Sequence, residues 1–153
     1  MSTFRTERLI VTPWRDAGVD DLEGIVRRIV GVGDDLPPEW QEIGGEDWLD
    51  ARDVEGQVFL ALADRPVGLL ITDLPKASRA DVVHVGYVIA PDATGKGFAT
   101  ELLVGFSAWA SGQGVIRLVA GVDPSNEASV RVLEKAGFWP ADRPFYELEL
   151  DPA

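Results

Sequence analysis

One continuous stretch near the middle of the sequence changes from the pattern of a strand to the pattern of a helix across two glycines. Its first part, Val82–Ala90, is rich in β-branched and aromatic residues, which favour a strand, and Pro91 ends it. Gly95 and Gly97 predict a tight turn in which the backbone can approach a ligand closely. From Phe98 onwards apolar residues recur every three or four positions, which indicates an amphipathic helix. Because the first turn of a helix has free N–H donors and the positive end of the dipole, this stretch predicts a phosphate-binding site.

Three kinds of phosphate-binding loop could occupy the glycine turn. A P-loop needs Ser or Thr directly after Gly-Lys, but Gly97 stands at that position. A dinucleotide fingerprint needs a third glycine where this chain has Thr100, and it normally follows the first strand of a domain. The segment Thr94–Ala99 instead resembles the acyl-CoA pyrophosphate loop of the GNAT N-acetyltransferases, Gln/Arg-x-x-Gly-x-Gly/Ala. Gly97 and Ala99 match that loop, whereas Thr94 replaces its Gln or Arg.

Composition narrows the class of protein. The chain has 153 residues, of which 46% are hydrophobic and 26% charged, as expected of a single globular domain over residues 1–153. It has no cysteine, which excludes disulfides and thiolate metal sites. We find no apolar run of membrane-spanning length and no signal-peptide pattern. These features predict a cytoplasmic protein with no membrane partner.

The charge is strongly and unevenly acidic. A net charge of −12 argues against binding to a nucleic-acid backbone, which requires a basic face. Between Asp34 and Glu55 there are acidic residues at nine positions and one base, Arg52. This segment is either a solvated face that aids solubility or the source of a negative electrostatic field that attracts a cationic acceptor.

The remaining strands are predicted from apolar or alternating runs bounded by turn residues. These runs are Thr6–Trp14, Gln57–Leu62, Val67–Ile71, Val115–Val122 and Phe145–Leu150. The second and third runs form a hairpin. The strand at 115–122 follows the central strand and its helix, which implies a parallel pair joined by a right-handed crossover.

Helix signals flank these strands. Asp16 is predicted to cap a first helix, whose apolar stripe is Leu22, Ile25, Val26 and Ile29. Residues 34–53 could hold a further helix, with tryptophans that either anchor the core or contact an acceptor. A last helix starts at Ser125 or Asn126 and ends at Gly137. Its predicted buried residues are Ala128, Val132 and Leu133.

Two further motifs resemble the same family. Thr6–Leu9, read Thr-Glu-Arg-Leu, followed by Pro13-Trp14, is similar to the start of the RimJ/RimL branch of GNAT enzymes. The helix that begins Asn126-x-x-Ser129 and ends Lys-x-Gly-Phe resembles the GNAT helix beside the cofactor. The presence of that helix also argues against a nicotinamide- or nucleotide-dependent enzyme. The chain is thus identified by resemblance as a GNAT N-acetyltransferase of the RimJ/RimL type.

This resemblance implies a fold and a co-substrate. The fold is α/β: a central mixed, mostly antiparallel sheet with one splayed parallel strand pair, flanked by about four helices. The co-substrate is acetyl-CoA, whose pantetheine arm would lie between the splayed strands, and no metal is required. The implied cofactor contacts are Tyr87, Val88 and Ile89 for the arm, Thr94, Gly95, Lys96, Gly97, Phe98, Ala99 and Thr100 for the pyrophosphate, and Asn126 and Ser129.

The implied catalytic residues depart from the common pattern. Many GNAT enzymes carry a tyrosine where this chain has Leu133, so protonation of the leaving thiolate falls to Ser129 or to water. The family often has Glu where this chain has His84, which is either the general base or a structural residue. We cannot assign the face of His84, because the family strand carries a bulge.

The predicted reaction moves an acetyl group from acetyl-CoA to a primary amine by direct attack in a ternary complex. A protein N-terminus, a polyamine and an aminoglycoside all remain open as acceptors, and the enzyme is expected to be a monomer or a homodimer. The alternative is a catalytically degenerate GNAT domain that binds acyl-CoA as a regulatory module. Release of the CoA thiol in the presence of amines separates the two.

Overall fold

A computed structural model describes residues 3–30, 53, 56–75, 80–122, 125–142 and 144–150. Its strands are β1 (Phe4–Arg5), β2 (Ile10–Pro13), β3 (Gln57–Leu62), β4 (Pro66–Thr72), β5 (Val82–Ile89), β6 (Arg117–Gly121), β7 (Trp139–Pro140) and β8 (Phe145–Glu149). Its helices are α1 (Leu22–Val30), α2 (Phe98–Gly112) and α3 (Glu127–Lys135), with 3₁₀ turns at Trp14–Asp16 and Pro91–Ala93. The fourth predicted helix, in residues 34–53, lies outside the described residues except for Asp53.

The eight strands form one mixed sheet in the order β1-β2-β3-β4-β5-β6-β8-β7. Among these described strands every neighbouring pair is antiparallel except β5 and β6. The α/β fold with one parallel pair is therefore as predicted, and so are the hairpin of β3 and β4 and the crossover through α2.

The parallel pair separates soon after it forms. Its ladder joins Val82 to Arg117, Val83 to Leu118 and His84 to Val119, and then stops. Beyond His84, β5 continues to Ile89 paired with β4, while β6 continues to Gly121 paired with β8. A gap therefore opens between β5 and β6, which is the splayed pair that the resemblance implied.

The core beneath α2 fixes which side of the sheet that helix covers. Phe59, Leu70 and Tyr87 are neighbours across β3, β4 and β5 and so share one face. Phe106 of α2 is fully buried, and its ring centre lies 6.3 Å from that of Phe59. The helix thus covers the face that carries Tyr87. Side chains alternate along a strand, so His84 projects from the opposite face.

The amino-terminal segment differs from its prediction. Thr6–Trp14 was predicted as one strand, but β1 and β2 form a hairpin with a turn over residues 6–9. In that turn Thr6 N–H donates to the carbonyl of Leu9 at 2.9 Å. The Thr6 hydroxyl also donates to Glu101 in α2, a long-range contact that a local pattern does not contain.

Two local predictions about helices were wrong. Asp16 does not cap α1, because it belongs to a 3₁₀ turn, and Asp21 takes that place with its carboxylate accepting from the Gly24 N–H at 3.2 Å. Ala128 of α3 is exposed, because the first turn of this helix lines a cavity. Leu133 is buried and Gly137 follows the helix with a φ of 97°, both as predicted.

No helix within the described ranges is long and apolar enough to cross a membrane. The acidic segment from Asp34 to Glu55 falls outside the described residues, apart from Asp53.

Candidate active site

The glycine turn before α2 has the backbone geometry that the sequence predicts. Gly95 has a φ of 77° and Gly97 a φ of 82°, in the left-handed region that side chains rarely adopt. Gly97 is the N-cap of α2, and no side chain in the described part of the chain caps the helix there. The N–H groups at the start of α2 are therefore available to an anion, and the positive end of the helix dipole favours one.

A clasp formed by Thr6, Arg8 and Glu101 holds this helix start against the amino-terminal hairpin. Glu101 accepts hydrogen bonds from the Thr6 hydroxyl, from the Arg8 backbone N–H at 2.8 Å and from Arg8 Nε at 2.7 Å. The Arg8 guanidinium also lies 4.4 Å from the centre of the Phe98 ring. Burial raises the pKa of Glu101, but these hydrogen bonds and the Arg8 charge outweigh it, so that the pKa is lowered overall.

A cavity of about 550 Å³ adjoins the helix start. Its volume is in the usual range for small-molecule sites. It is lined by the end of β5, the glycine turn, the first turn of α2 and one side of α3. Every predicted cofactor-contacting residue except Lys96 lines it: Tyr87, Val88, Ile89, Thr94, Gly95, Gly97, Phe98, Ala99, Thr100, Asn126 and Ser129. Their contacts with acetyl-CoA stay a prediction, and Lys96 is exposed beside the turn.

The charge of the cavity is opposite to that of the whole protein. Arg131 and Lys135 line it from α3, and none of the described residues lining it is Asp or Glu. In a chain of net charge −12, this makes a local site for an anion. Sequence reasoning did not assign either residue to the site, although their spacing of four positions on the helix that begins at Asn126-x-x-Ser129 contained the signal.

Asn126 and Ser129 are tied together at the start of α3. Asn126 is the N-cap of this helix, and its side-chain oxygen accepts from the Ser129 N–H at 3.1 Å. This hydrogen bond fixes the backbone of Ser129 at the cavity wall. The Tyr87 hydroxyl is buried, and it has no hydrogen bond of ordinary geometry to any residue that the structure describes. Burial raises the pKa of Tyr87 above its usual value, and the nearby Ser129 side chain partly offsets this rise.

His84 lies apart from this cavity. It lines a groove of about 290 Å³ together with Ile71, Gly86, Val119 and Gly121, on the sheet face opposite α2. A Cβ added at Gly86 would meet no atom of the described residues within 4 Å, so the floor of this groove is open on their side. The gap between β5 and β6 lies between the groove and the cavity, because Gly86 and Tyr87 are consecutive residues of β5 beyond the last parallel pair.

Asp73 holds the His84 ring. One carboxylate oxygen lies 3.0 Å from His84 Nδ1, and the other accepts from the His84 backbone N–H at 2.7 Å. The two side chains are about half exposed, at 58% for His84 and 48% for Asp73. This arrangement orients the imidazole and leaves Nε2 as the ring nitrogen not used by Asp73. Sequence reasoning missed Asp73, although its place in the β4–β5 hairpin was the available signal.

No group of three or more His, Asp or Glu side chains in the described part of the chain is arranged to hold a metal ion.

Comparison with known proteins identifies the class. The family model for the acetyltransferase (GNAT) domain matches residues 8–139, which is most of the chain. The parallel strand pair separates beside a helix start with free N–H groups. This part of the molecule is thus the site of an acyltransferase. The chain belongs to the GNAT acetyltransferase family, and its activity is acetyl-CoA-dependent acetyl transfer.

Individual relatives agree with this assignment. An L-methionine sulfoximine/L-methionine sulfone acetyltransferase of Pseudomonas paraeruginosa is 29% identical, over 90% of this chain and 94% of the relative. The structure of a GNAT-family acetyltransferase from Bacillus anthracis has a TM-score of 0.71 and 19% identity, covering 95% of this chain and 97% of its own. The structure of yncA from Salmonella typhimurium with acetyl-CoA has a TM-score of 0.61 and 19% identity, covering 96% of each chain. Both structures show likeness of fold.

Proposed function

We propose that this enzyme acetylates the primary amine of a small, amino-acid-like molecule, with the CoA moiety in the cavity beside α2 and the amine in the groove at His84. The observation that carries this proposal is the cavity itself. It joins the free N–H groups of a helix start to Arg131 and Lys135, with no acidic residue among its described lining, inside a protein of net charge −12. Such a site favours a polyanion such as the phosphates of CoA.

The exposed edge of β5 provides the next contacts. Between Val85 and Ile89 this strand has β4 on one side and no ladder to β6 on the other. Its backbone groups on the β6 side can therefore hydrogen-bond the pantetheine arm and polarise the thioester carbonyl. The bound acetyl-CoA supplies an already activated acyl group, so that the protein has mainly to orient it and to manage protons.

His84 accepts the proton of the attacking amine. Asp73 holds Nδ1, and Nε2 serves as the basic atom. Ser129, at the wall of the cavity, donates a hydrogen bond to the sulfur as the thiolate leaves. The gap between β5 and β6 connects the two sites, and it is there that the acyl carbon would meet the amine.

The size of the groove and the named activity of the relatives support a small acceptor. At about 290 Å³ the groove is at the lower end of ligand-site volumes. The relatives of 29% identity are named for L-methionine sulfoximine and L-methionine sulfone, which are small amino-acid analogues. A protein N-terminus, as in the RimJ/RimL branch, is the competing acceptor and a direct comparison tests it.

The experiment is a panel of amines assayed for release of the CoA thiol. The panel contains methionine sulfoximine, a polyamine, an aminoglycoside and a peptide with a free N-terminus. We expect kcat/KM to be highest for the amino-acid analogue. A clear preference for the peptide would refute the small-acceptor assignment. Binding of acetyl-CoA without thiol release for any amine would favour a binding module instead.

A matched pair of variants tests the groove. Gly86→Leu places a side chain in open space and should block the acceptor, so that KM for the amine rises while acetyl-CoA affinity is kept. Gly112→Leu puts the same side chain at another open position, at the far end of α2, and should behave as wild type. An unchanged KM in Gly86→Leu would place the acceptor elsewhere.

A further inference from the structure

The hydroxyl of Tyr87 is the starting observation. Its oxygen is buried, and it has no hydrogen bond of ordinary geometry among the described residues, although its ring lines the cavity. A buried donor without an acceptor carries its full desolvation cost, so native structures rarely keep one without a reason. Ser129 lines the same cavity from the start of α3, and its side chain is the hydrogen-bonding neighbour of the Tyr87 hydroxyl.

Ser129 is in a different position from Tyr87. It is half-buried and lines the cavity, so its hydroxyl has access to water or to a ligand there. Its backbone cannot shift easily, because Asn126 holds its N–H. The side chain of Ser129, and not its backbone, is therefore the part that can turn toward Tyr87.

The direction of this hydrogen bond depends on which of the two hydroxyls has another acceptor for its hydrogen. Tyr87 is cut off from water, so its hydrogen stays unpaired unless it is donated to Ser129. Ser129 has one hydrogen and two lone pairs, and it can donate into the cavity while it accepts from Tyr87. Burial raises the pKa of Tyr87, which keeps the phenol protonated and a donor at neutral pH.

We infer that Tyr87 is a positioning residue that donates to the oxygen of Ser129 and thereby directs the Ser129 hydrogen into the cavity, toward the sulfur of CoA. This inference rests on the proposed function, since it assumes that the thiol end of CoA reaches Ser129. Chains of hydroxyls polarise one another, so that Tyr87 also strengthens the donor that faces the sulfur.

The chemical step is balanced without ionising either hydroxyl. A bond forms between the amine nitrogen and the carbonyl carbon, the carbon–sulfur bond breaks, and its electron pair remains on sulfur. His84 takes the proton from nitrogen and passes it to water. Ser129 stabilises the thiolate by a hydrogen bond, and the thiolate takes a proton from water as CoA leaves.

The test compares CoA with desulfo-CoA, which lacks the sulfur, by calorimetry at a pH where the free thiol is ionised. Tyr87→Phe should bind CoA about 3- to 10-fold more weakly than wild type, as expected for the loss of one hydrogen bond between uncharged groups, here Tyr87 and Ser129. It should bind desulfo-CoA with unchanged affinity. Tyr146→Phe, at the only other tyrosine of the chain, should change neither affinity.

Two further measurements separate positioning from packing. The thiol pKa of bound CoA, followed by the ultraviolet absorbance of the thiolate, should be higher in Tyr87→Phe and in Ser129→Ala than in wild type. In the Ser129→Ala background, Tyr87→Phe should have no additional effect, because Tyr87 acts through Ser129. Circular dichroism and the unfolding midpoint check that each variant is folded.

Several outcomes would overturn the inference. Equal losses for CoA and desulfo-CoA would mean that Tyr87 only shapes the cavity. A full effect of Tyr87→Phe in the Ser129→Ala protein would mean that Tyr87 acts independently. A folded wild-type protein that binds neither ligand would overturn the proposed function itself, which is a distinct result.

Discussion

At the scale of single residues, the contact between Asp73 and His84 gives the site its candidate base. One oxygen of the Asp73 carboxylate contacts Nδ1 of the His84 ring, and the other accepts from the His84 backbone N–H. Both the position and the orientation of the imidazole are therefore fixed. The ring nitrogen that Asp73 does not contact, Nε2, is the atom that would accept the proton of the amine, so activity should depend on His84.

Replacement of His84 tests this assignment. In His84→Gln we expect the turnover number to fall about 10²- to 10⁴-fold while the affinity for acetyl-CoA is kept. Asp73→Asn should give a smaller loss, because the ring remains but is oriented less well. Asp81→Asn changes another exposed carboxyl close to β5 and should leave the turnover number as it is. If His84→Gln keeps its rate, another group accepts the proton.

Gly97 is the residue on which the predicted phosphate site depends most. Its φ of 82° suits glycine, and to a lesser degree asparagine, and it directly precedes the free N–H groups of α2. Gly97→Glu should weaken acetyl-CoA binding, because it adds negative charge beside the proposed position of the phosphates. We expect a loss of 10-fold or more in affinity, which corresponds to about 1.4 kcal/mol or more. Calorimetry measures this change.

The control for Gly97 separates charge from backbone strain. Gly97→Asn adds a side chain without net charge and tolerates the left-handed conformation, so it should keep most of the affinity. A Cβ at this position meets only the end of the flexible Arg8 side chain, at 3.4 Å, and both variants should therefore fold. Equal affinities for the Glu and Asn variants would argue against phosphates at this turn.

At the scale of elements, the clasp of Thr6, Arg8 and Glu101 connects the first hairpin to the start of α2. Hydrogen bonds to the ionised Glu101 lower its pKa, in spite of the opposing effect of burial. A carboxyl group whose pKa is lowered by folding stabilises the protein above its unfolded pKa, and that stability is lost as the pH falls through the lowered folded value.

The clasp therefore predicts an acid-sensitive contribution to stability. Glu101→Gln should reduce the free energy of unfolding at neutral pH by on the order of 1–2 kcal/mol, which is typical of lost hydrogen bonds to a charged group. The difference from wild type should shrink below about pH 4.5, the ordinary value for the carboxyl group. Urea titrations at several pH values measure it, with the exposed neighbour Glu7→Gln as control. A difference independent of pH would contradict the role of the charge.

The elements themselves show what local sequence patterns can predict. The change of period at Gly97 predicted β5, α2 and the turn between them, because these depend on neighbouring residues. The same reasoning made Thr6–Trp14 one strand, and the hairpin that forms there is held by Glu101, 95 positions away. Asp73 was missed for a similar reason, since only the register of a hairpin places it beside His84.

At the scale of the whole molecule, the sheet divides the chemistry between two faces. The cavity proposed for CoA adjoins α2 and α3, whereas His84 and its groove lie on the other face. The sequence predicted most of the residues that line the cavity, because they lie in short continuous segments, but it did not assign Arg131 and Lys135 to it. It could not predict that His84 lies across the sheet from them, since that depends on a regular register between β4 and β5 without the bulge expected from the family.

The charge of the molecule leads to a prediction about rates. The protein has a net charge of −12, whereas the described lining of the cavity proposed for CoA contains Arg131 and Lys135 and no acid. A long-range acidic field attracts a cationic amine and opposes a polyanion, and salt screens it over about 8–10 Å near physiological ionic strength. The two substrates should therefore respond to salt in opposite directions.

We expect kcat/KM for a polycationic acceptor, such as an aminoglycoside, to fall as salt is raised from low to physiological strength. The value for acetyl-CoA should rise or stay constant, because screening weakens repulsion by the whole protein as well as attraction by Arg131 and Lys135. A zwitterionic amino-acid acceptor has no net charge and provides the internal control, with little change expected. Steady-state rates over a salt series measure all three. If the aminoglycoside and the zwitterion respond alike, the acidic charge, including the segment from Asp34 to Glu55, serves solubility and does not steer the acceptor.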